Sequence, residues 1–74
     1  MNKEQKSLNE LHCIADKLKK DKNMSNDKKY KELCNKKISI IFYKCQIIVE
    51  TDKSNIRYYN NQIKKLNKEI NKNE

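Results

Sequence analysis

The sequence has no glycine and no proline. Without glycine there is none of the glycine-rich turns that cradle phosphates, and the common two-residue β-hairpin turns lose their preferred residue. The tight, often glycine-containing turn of a helix-turn-helix DNA reader is missing too. Arginine is nearly absent: 17 of the 18 basic residues are lysine, and Arg57 is the exception. Forked, two-point reading of guanine edges or phosphates favours arginine, so base-specific recognition is not expected. Paired catalytic carboxylates on an apolar wall and metalloprotease motifs are also missing, and no enzyme is expected.

Long apolar runs are lacking. The one dense apolar block, Leu33–Val49 (LCNKKISIIFYKCQIIV), falls short of the roughly 20 residues that cross a bilayer, and Lys44 interrupts it. A membrane is therefore not an expected partner. The first residues, MNKEQKSLNE, lack the apolar centre of a secretion signal. Three cysteines without such a signal point to a reducing compartment, and a cytoplasmic location is expected.

What the chain has is lysine, asparagine and isoleucine, which supply 37 of its 74 residues. All three use A/T-rich codons, so part of the +8 net charge is attributable to base composition. Such bias suits a chain encoded by an A/T-rich bacterium, a phage, a mobile element or a eukaryotic parasite; for a phage-encoded chain the location becomes the host cytoplasm. The charge is spread along the sequence: +2, +3 and +3 for residues 1–25, 26–50 and 51–74. A solvated lysine-rich surface and a nucleic-acid footprint are both compatible with that pattern.

The apolar block reads as a helix with two apolar stripes. Tyr30, Cys34, Ile38, Ile41, Cys45 and Ile48 recur at helical spacing, flanked by Phe42 and Val49. Leu33, Ile40 and Ile47 form the second stripe, with Tyr43 at its edge. Lys37 and Lys44 separate the stripes on one side; Asn35, Ser39, Gln46 and Glu50 make the polar face on the other. Isoleucine, valine and aromatics also favour strands, but the lack of hairpin residues weighs against that. A helix with two apolar stripes is covered from two directions.

The spacing predicts helices over about 3–22, 27–50 and 54–71. The first carries one narrow stripe, Leu8, Leu11, Ile14, Ala15 and Leu18. Its last turns are lysine-rich, as suits the negative end of a helix dipole. Ser25, Asn26 or Asp27 can cap the second helix, and Asp52 or Ser54 the third. In the third, Ile56, Tyr59, Ile63, Leu66 and Ile70 step by threes and fours, a seam of just over two heptads. Residues 1–74 are expected to make one small all-α domain, an up-down-up three-helix bundle with the outer helices on the two faces of the central one. The alternative is an extended helical assembly completed by a partner chain, because 74 residues with 35% hydrophobic content leave little core.

No cofactor and no metal are expected. His12 and Cys13 are adjacent and would diverge on a helix, and Cys34 and Cys45 are spaced unlike finger ligands. Cys34 and Cys45 read as buried thiols and Cys13 as an exposed one. Tyr58 and Tyr59, near Arg57, Lys64 and Lys65, can pair base stacking with phosphate contact, and Asn60, Asn61 and Gln62 add a weak base-edge signal, although Tyr59 belongs to the seam and reads as core.

The expected function is a non-enzymatic helical binding protein that docks on another protein or a nucleoprotein as an inhibitor, adaptor or small subunit. Its candidate contact residues are Leu33, Ile40, Tyr43 and Ile47, the second stripe of the central helix, with Arg57, Tyr58, Lys64 and Lys65 on the third. The alternative is a sequence-nonspecific nucleic-acid-binding protein using lysine–phosphate contacts, which requires the basic residues to cluster on one face once folded. A homo-oligomer joined through the third helix is a further option.

Overall fold

The computed structural model describes residues 3–72. They form three α-helices: α1 (Lys3–Met24), α2 (Lys28–Val49) and α3 (Lys53–Lys72). The all-α, three-helix expectation holds. The largest boundary difference is at the end of α1, which runs two residues past Lys22. Nothing there breaks it, since Asp21–Met24 neither lacks a backbone donor nor needs a positive φ. The helix closes where the Ser25 N–H reaches the Lys22 carbonyl at 3.3 Å.

Both turns are built by carboxylates. Asp27 caps α2 from an extended conformation, its side chain accepting from the Lys29 N–H at 2.9 Å. Asp52 does the same for α3, accepting from the Ser54 N–H at 2.9 Å. Each satisfies an orphan backbone donor and puts negative charge at the positive end of the dipole, worth about 1 kcal/mol. At α2 this offsets part of the unfavourable Lys28, Lys29 and Lys31 in the first turns. The second turn gains a further organiser in Glu50. Its carboxylate accepts from the Thr51 and Asp52 N–H groups at 3.0 and 3.1 Å and from the Asn55 side chain at 3.2 Å.

Linkers of three residues make sequence neighbours antiparallel. Between α2 and α3 this is visible directly: Tyr43 meets Tyr59, while Lys36, two turns earlier, pairs with Glu69, near the other end of α3. The two apolar stripes of α2 are used separately. Ile41 and Cys45 pack with Ala15, around which Leu8, Leu11 and Leu18 close from α1. Ala15 is only 3% exposed, and its small side chain lets the two helices approach. On the other side Ile40 and Ile70 are buried, with Leu33, Tyr43, Ile47, Tyr59, Ile63 and Leu66 half-buried along the α2–α3 seam.

α1 and α3 do not approach each other; every close helix contact among the described residues involves α2. The Cα extents are 39 × 27 × 14 Å. The 27 Å width fits three helices side by side, at about 8–10 Å between axes plus the outer helix radii. The bundle is therefore open, with α1 and α3 each packed on α2 and not on one another. Its interior is correspondingly thin, and Ile14, Met24, Tyr30, Phe42, Val49 and Tyr58 are exposed apolar or aromatic side chains.

Candidate functional site

The expected contact residues divide into two groups. Leu33, Ile40, Tyr43 and Ile47 lie on the stripe of α2 that faces α3: Ile40 is 7% exposed and the other three are half-buried. The expectation that this stripe offers a contact surface needs correcting for the folded chain. α3 covers it, because the seam Ile56–Tyr59–Ile63–Leu66–Ile70 supplies a matching apolar stripe at the end of a short turn. Ile40 is sealed beneath α3, while Leu33, Tyr43 and Ile47 keep part of their surface. Arg57, Tyr58, Lys64 and Lys65 are exposed.

Two contacts fix how the polar flanks of α2 and α3 are matched. Lys36 Nζ lies 3.8 Å from Glu69 Oε2. The Tyr43 ring lies 5.9 Å from Tyr59, and Tyr58 sets its edge on Tyr59 at 5.7 Å. Lys36 and Tyr43 stand on one side of the buried stripe of α2; Lys37 and Lys44 stand on the other. On α3, Tyr58 and Glu69 likewise stand on one side of the seam, with Lys65 beside them. Lys53, Asn60, Lys64 and Asn67 stand on the other, with Arg57 and Lys68 just beyond, toward the outer edge. Because the first flanks meet, the second flanks must meet as well. Helix geometry therefore puts Lys37 and Lys44 on the same side of the α2–α3 pair as Lys53 and Lys64, with Arg57 and Lys68 turned outward toward the edge. All six are exposed. The carboxylates carried by the two helices, Glu32 and Glu69, fall on the opposite side, where Glu32 sits one turn before Lys36.

Lys64 thus falls on the side of Lys37 and Lys44, Arg57 toward the outer edge, and Tyr58 and Lys65 on the opposite flank. Lys37, Lys44, Lys53 and Lys68 join the site without having been candidates. Their signal was in the sequence only in part: the two α2 lysines mark the gap between its stripes, but nothing local says which flank of α3 comes to lie beside them.

A groove of about 340 Å³ lies where α2 runs past the end of α3. Leu33, Tyr30 and Ile70 give it apolar walls, while Lys29 and Lys36 are balanced by Asp27 and Glu32 on its rim. Mixed charge of this kind selects no ligand class.

Two titratable groups have shifted affinities, and one of them, Tyr30, also lines this groove. Cys34 is 1% exposed. The Tyr30 hydroxyl, hydrogen-bonded to Cys34 one turn on, is held above its ordinary 10.0, first by that bond and then by negative charge on Cys34. Burial pushes the Cys45 thiol above its ordinary 9.0. Cys13 is exposed, as its place on the polar side of α1 led one to expect. Among the described residues no three His, Cys, Asp or Glu side chains converge to hold a metal, and no helix is long and apolar enough to cross a membrane.

The chain matches no family model, no curated protein and no solved structure, so the reading of this surface rests on its own residues.

Proposed function

We propose that this is a non-enzymatic helical protein that binds nucleic acid through lysine–phosphate contacts, without reading sequence, on the α2–α3 face. One feature carries the reading: helix geometry puts Lys37, Lys44, Lys53 and Lys64 on the side of the α2–α3 pair away from Glu32 and Glu69. Phosphate binding needs cations that are exposed, convergent and unpaired with nearby acids. Lysine serves as a point charge for phosphate, and the single arginine fits contact with the backbone rather than with bases. A cytoplasmic location, in the chain's own cell or in a phage host, goes with this function.

The test is anisotropy of labelled duplex and single-stranded oligonucleotides over a salt series. The expected result is micromolar or tighter binding near physiological salt, with log K falling linearly against log salt. Four to six neutralised phosphates give a slope of about −4 to −5. Weak binding with a slope near zero would leave the charge as solvation and coding bias.

A second reading keeps a protein partner, with the chain as inhibitor, adaptor or small subunit. It is favoured by the apolar side chains left outside the core, Ile14, Phe42 and Val49, none of which lies on the α3-covered stripe. Phe42 has Lys19 over its ring at 5.7 Å, so it is shielded in part. Single exposed apolar residues are common on soluble proteins, which is why this reading comes second. It predicts that Phe42→Ser or Val49→Ser weakens capture of a partner while leaving salt-dependent oligonucleotide binding as it was.

A further inference from the structure

We propose that the outer face of α1 is a self-complementary docking surface for a second copy of this chain, paired antiparallel about a two-fold axis between Cys13 and Ile14. α1 turns Leu8, Leu11, Ala15 and Leu18 toward α2 and does not approach α3. Among the described residues no helix covers its opposite side. There Lys6, Glu10, Cys13, Lys17, Asp21 and Met24 step by threes and fours along one line, and all are exposed. Ile14, beside that line, is 50% exposed. A shallow, almost wholly apolar depression on this side is lined by Lys6, Asn9, Glu10, Cys13 and Ile14.

The order of charges points to the occupant. The line alternates in sign at Lys6, Glu10, Lys17 and Asp21. The midpoint of Lys6 and Asp21 falls between Cys13 and Ile14, and so does the midpoint of Glu10 and Lys17. An antiparallel copy turned about that one point sets Lys6 opposite Asp21 and Glu10 opposite Lys17, and the two-fold repeats each pair. The Glu10–Lys17 pairs stand about 5 Å along the helix from the axis, and the Lys6–Asp21 pairs about 11 Å. Cys13 and Ile14 of both copies meet at the axis, beside the apolar depression. A closed two-fold interface uses one patch twice and requires this internal complementarity, whereas a foreign partner does not. A parallel copy in register would set Lys6 on Lys6 and Glu10 on Glu10, which repel.

Among the described residues none of these four charges has an ion-pair partner within the chain; the Lys36–Glu69 pair lies on α2 and α3. Lys3 and Lys20, at the margins of the line, fall opposite Met24 and Ser7. One helix from each copy makes a small interface, of the weak and transient class. It lies across α1 from α2, so it leaves Lys37, Lys44, Lys53 and Lys64 uncovered. Its failure would therefore leave the nucleic-acid reading standing.

The experiment is sedimentation equilibrium of the full chain under reducing conditions, from micromolar to millimolar concentration. The +8 charge of each copy opposes association at low salt, so the salt is held near about 0.15 M, where long-range repulsion is screened. Four chains are compared: the wild type, Glu10→Lys, Lys17→Glu and the double variant Glu10→Lys/Lys17→Glu. Both positions are exposed, and unchanged melting by circular dichroism at low concentration shows that each variant folds. The expected result is a monomer–dimer equilibrium for the wild type, about tenfold weaker for either single charge reversal and restored in the double variant. Glu10 and Lys17 stand about 10 Å apart along one helix, too far to pair within it, so the rescue reports a contact between copies. A wild type that stays monomeric at every concentration overturns the proposal. A dimer indifferent to both single reversals, or one that the double variant fails to restore, overturns it as well.

Discussion

Tyr43 and Tyr59 face each other across the α2–α3 seam with ring centroids 5.9 Å apart and planes inclined by 32°. The contact sets the register of α3 and also decides which of its flanks lies beside Lys37 and Lys44. Ring pairs of this kind contribute about 0.5–1.5 kcal/mol beyond their area burial. A double-mutant cycle with Tyr43→Ala and Tyr59→Ala, followed by urea unfolding, should return a coupling energy of about 1 kcal/mol. Additive losses would mean that the rings merely sit near each other and that other contacts hold the register.

The covered stripe of α2 gives a second prediction. Ile40→Asn places an amide where the side chain is buried against α3. The variant should lose about 2–4 kcal/mol of folding stability, from lost packing and an unsatisfied polar group. Circular dichroism against urea reads this directly. Unchanged stability with altered partner binding would restore this stripe as a contact surface.

The three thiols should differ in reactivity. Cys13 is exposed, whereas Cys34 and Cys45 are buried. With a disulfide-exchange reagent at pH 8, one equivalent should react fast, and two more only on the timescale of unfolding. Three fast equivalents would show that the thin α1–α2 layer opens readily.

Stability should fall at alkaline pH. The Cys45 thiol and the Tyr30 hydroxyl both have raised pKa values in the fold. The unfolded chain releases these protons near their ordinary values, 9.0 and 10.0, while the folded chain still holds them. Their contribution is thus complete below about pH 9 and is lost as pH rises through the folded values. Urea midpoints between pH 7 and 11 test this, with Tyr30→Phe as the comparison. Lysine neutralisation acts alike on both proteins, so Tyr30→Phe should show the shallower loss above pH 10.

The turns supply a local test. Asp27→Ala and Asp52→Ala should each cost about 1 kcal/mol, and their effects should add because the two caps lie in different turns and share no partner. Loss of much more at Asp52 would indicate that the Glu50 network around it collapses as well.

The sequence determined whatever depends on neighbours three or four residues away. Periodicity placed the helices and both stripes of α2, and the Asp27 and Asp52 caps were legible as polar breaks before periodic segments. Glu50 was legible only as a polar-face residue; its part in the turn depends on how the chain bends back. The tertiary structure decided what depends on the rotation of one helix against another. An apolar seam states that α3 packs on α2, but periodicity is the same for either flank. The Tyr43–Tyr59 contact and the Lys36–Glu69 pair break that symmetry. They put Lys64 on the side of Lys37 and Lys44, Arg57 toward the outer edge, and Tyr58 and Lys65 on the opposite flank. Order along the chain leaves these neighbours open, because folding sorts residues by their angle around an axis rather than by their order.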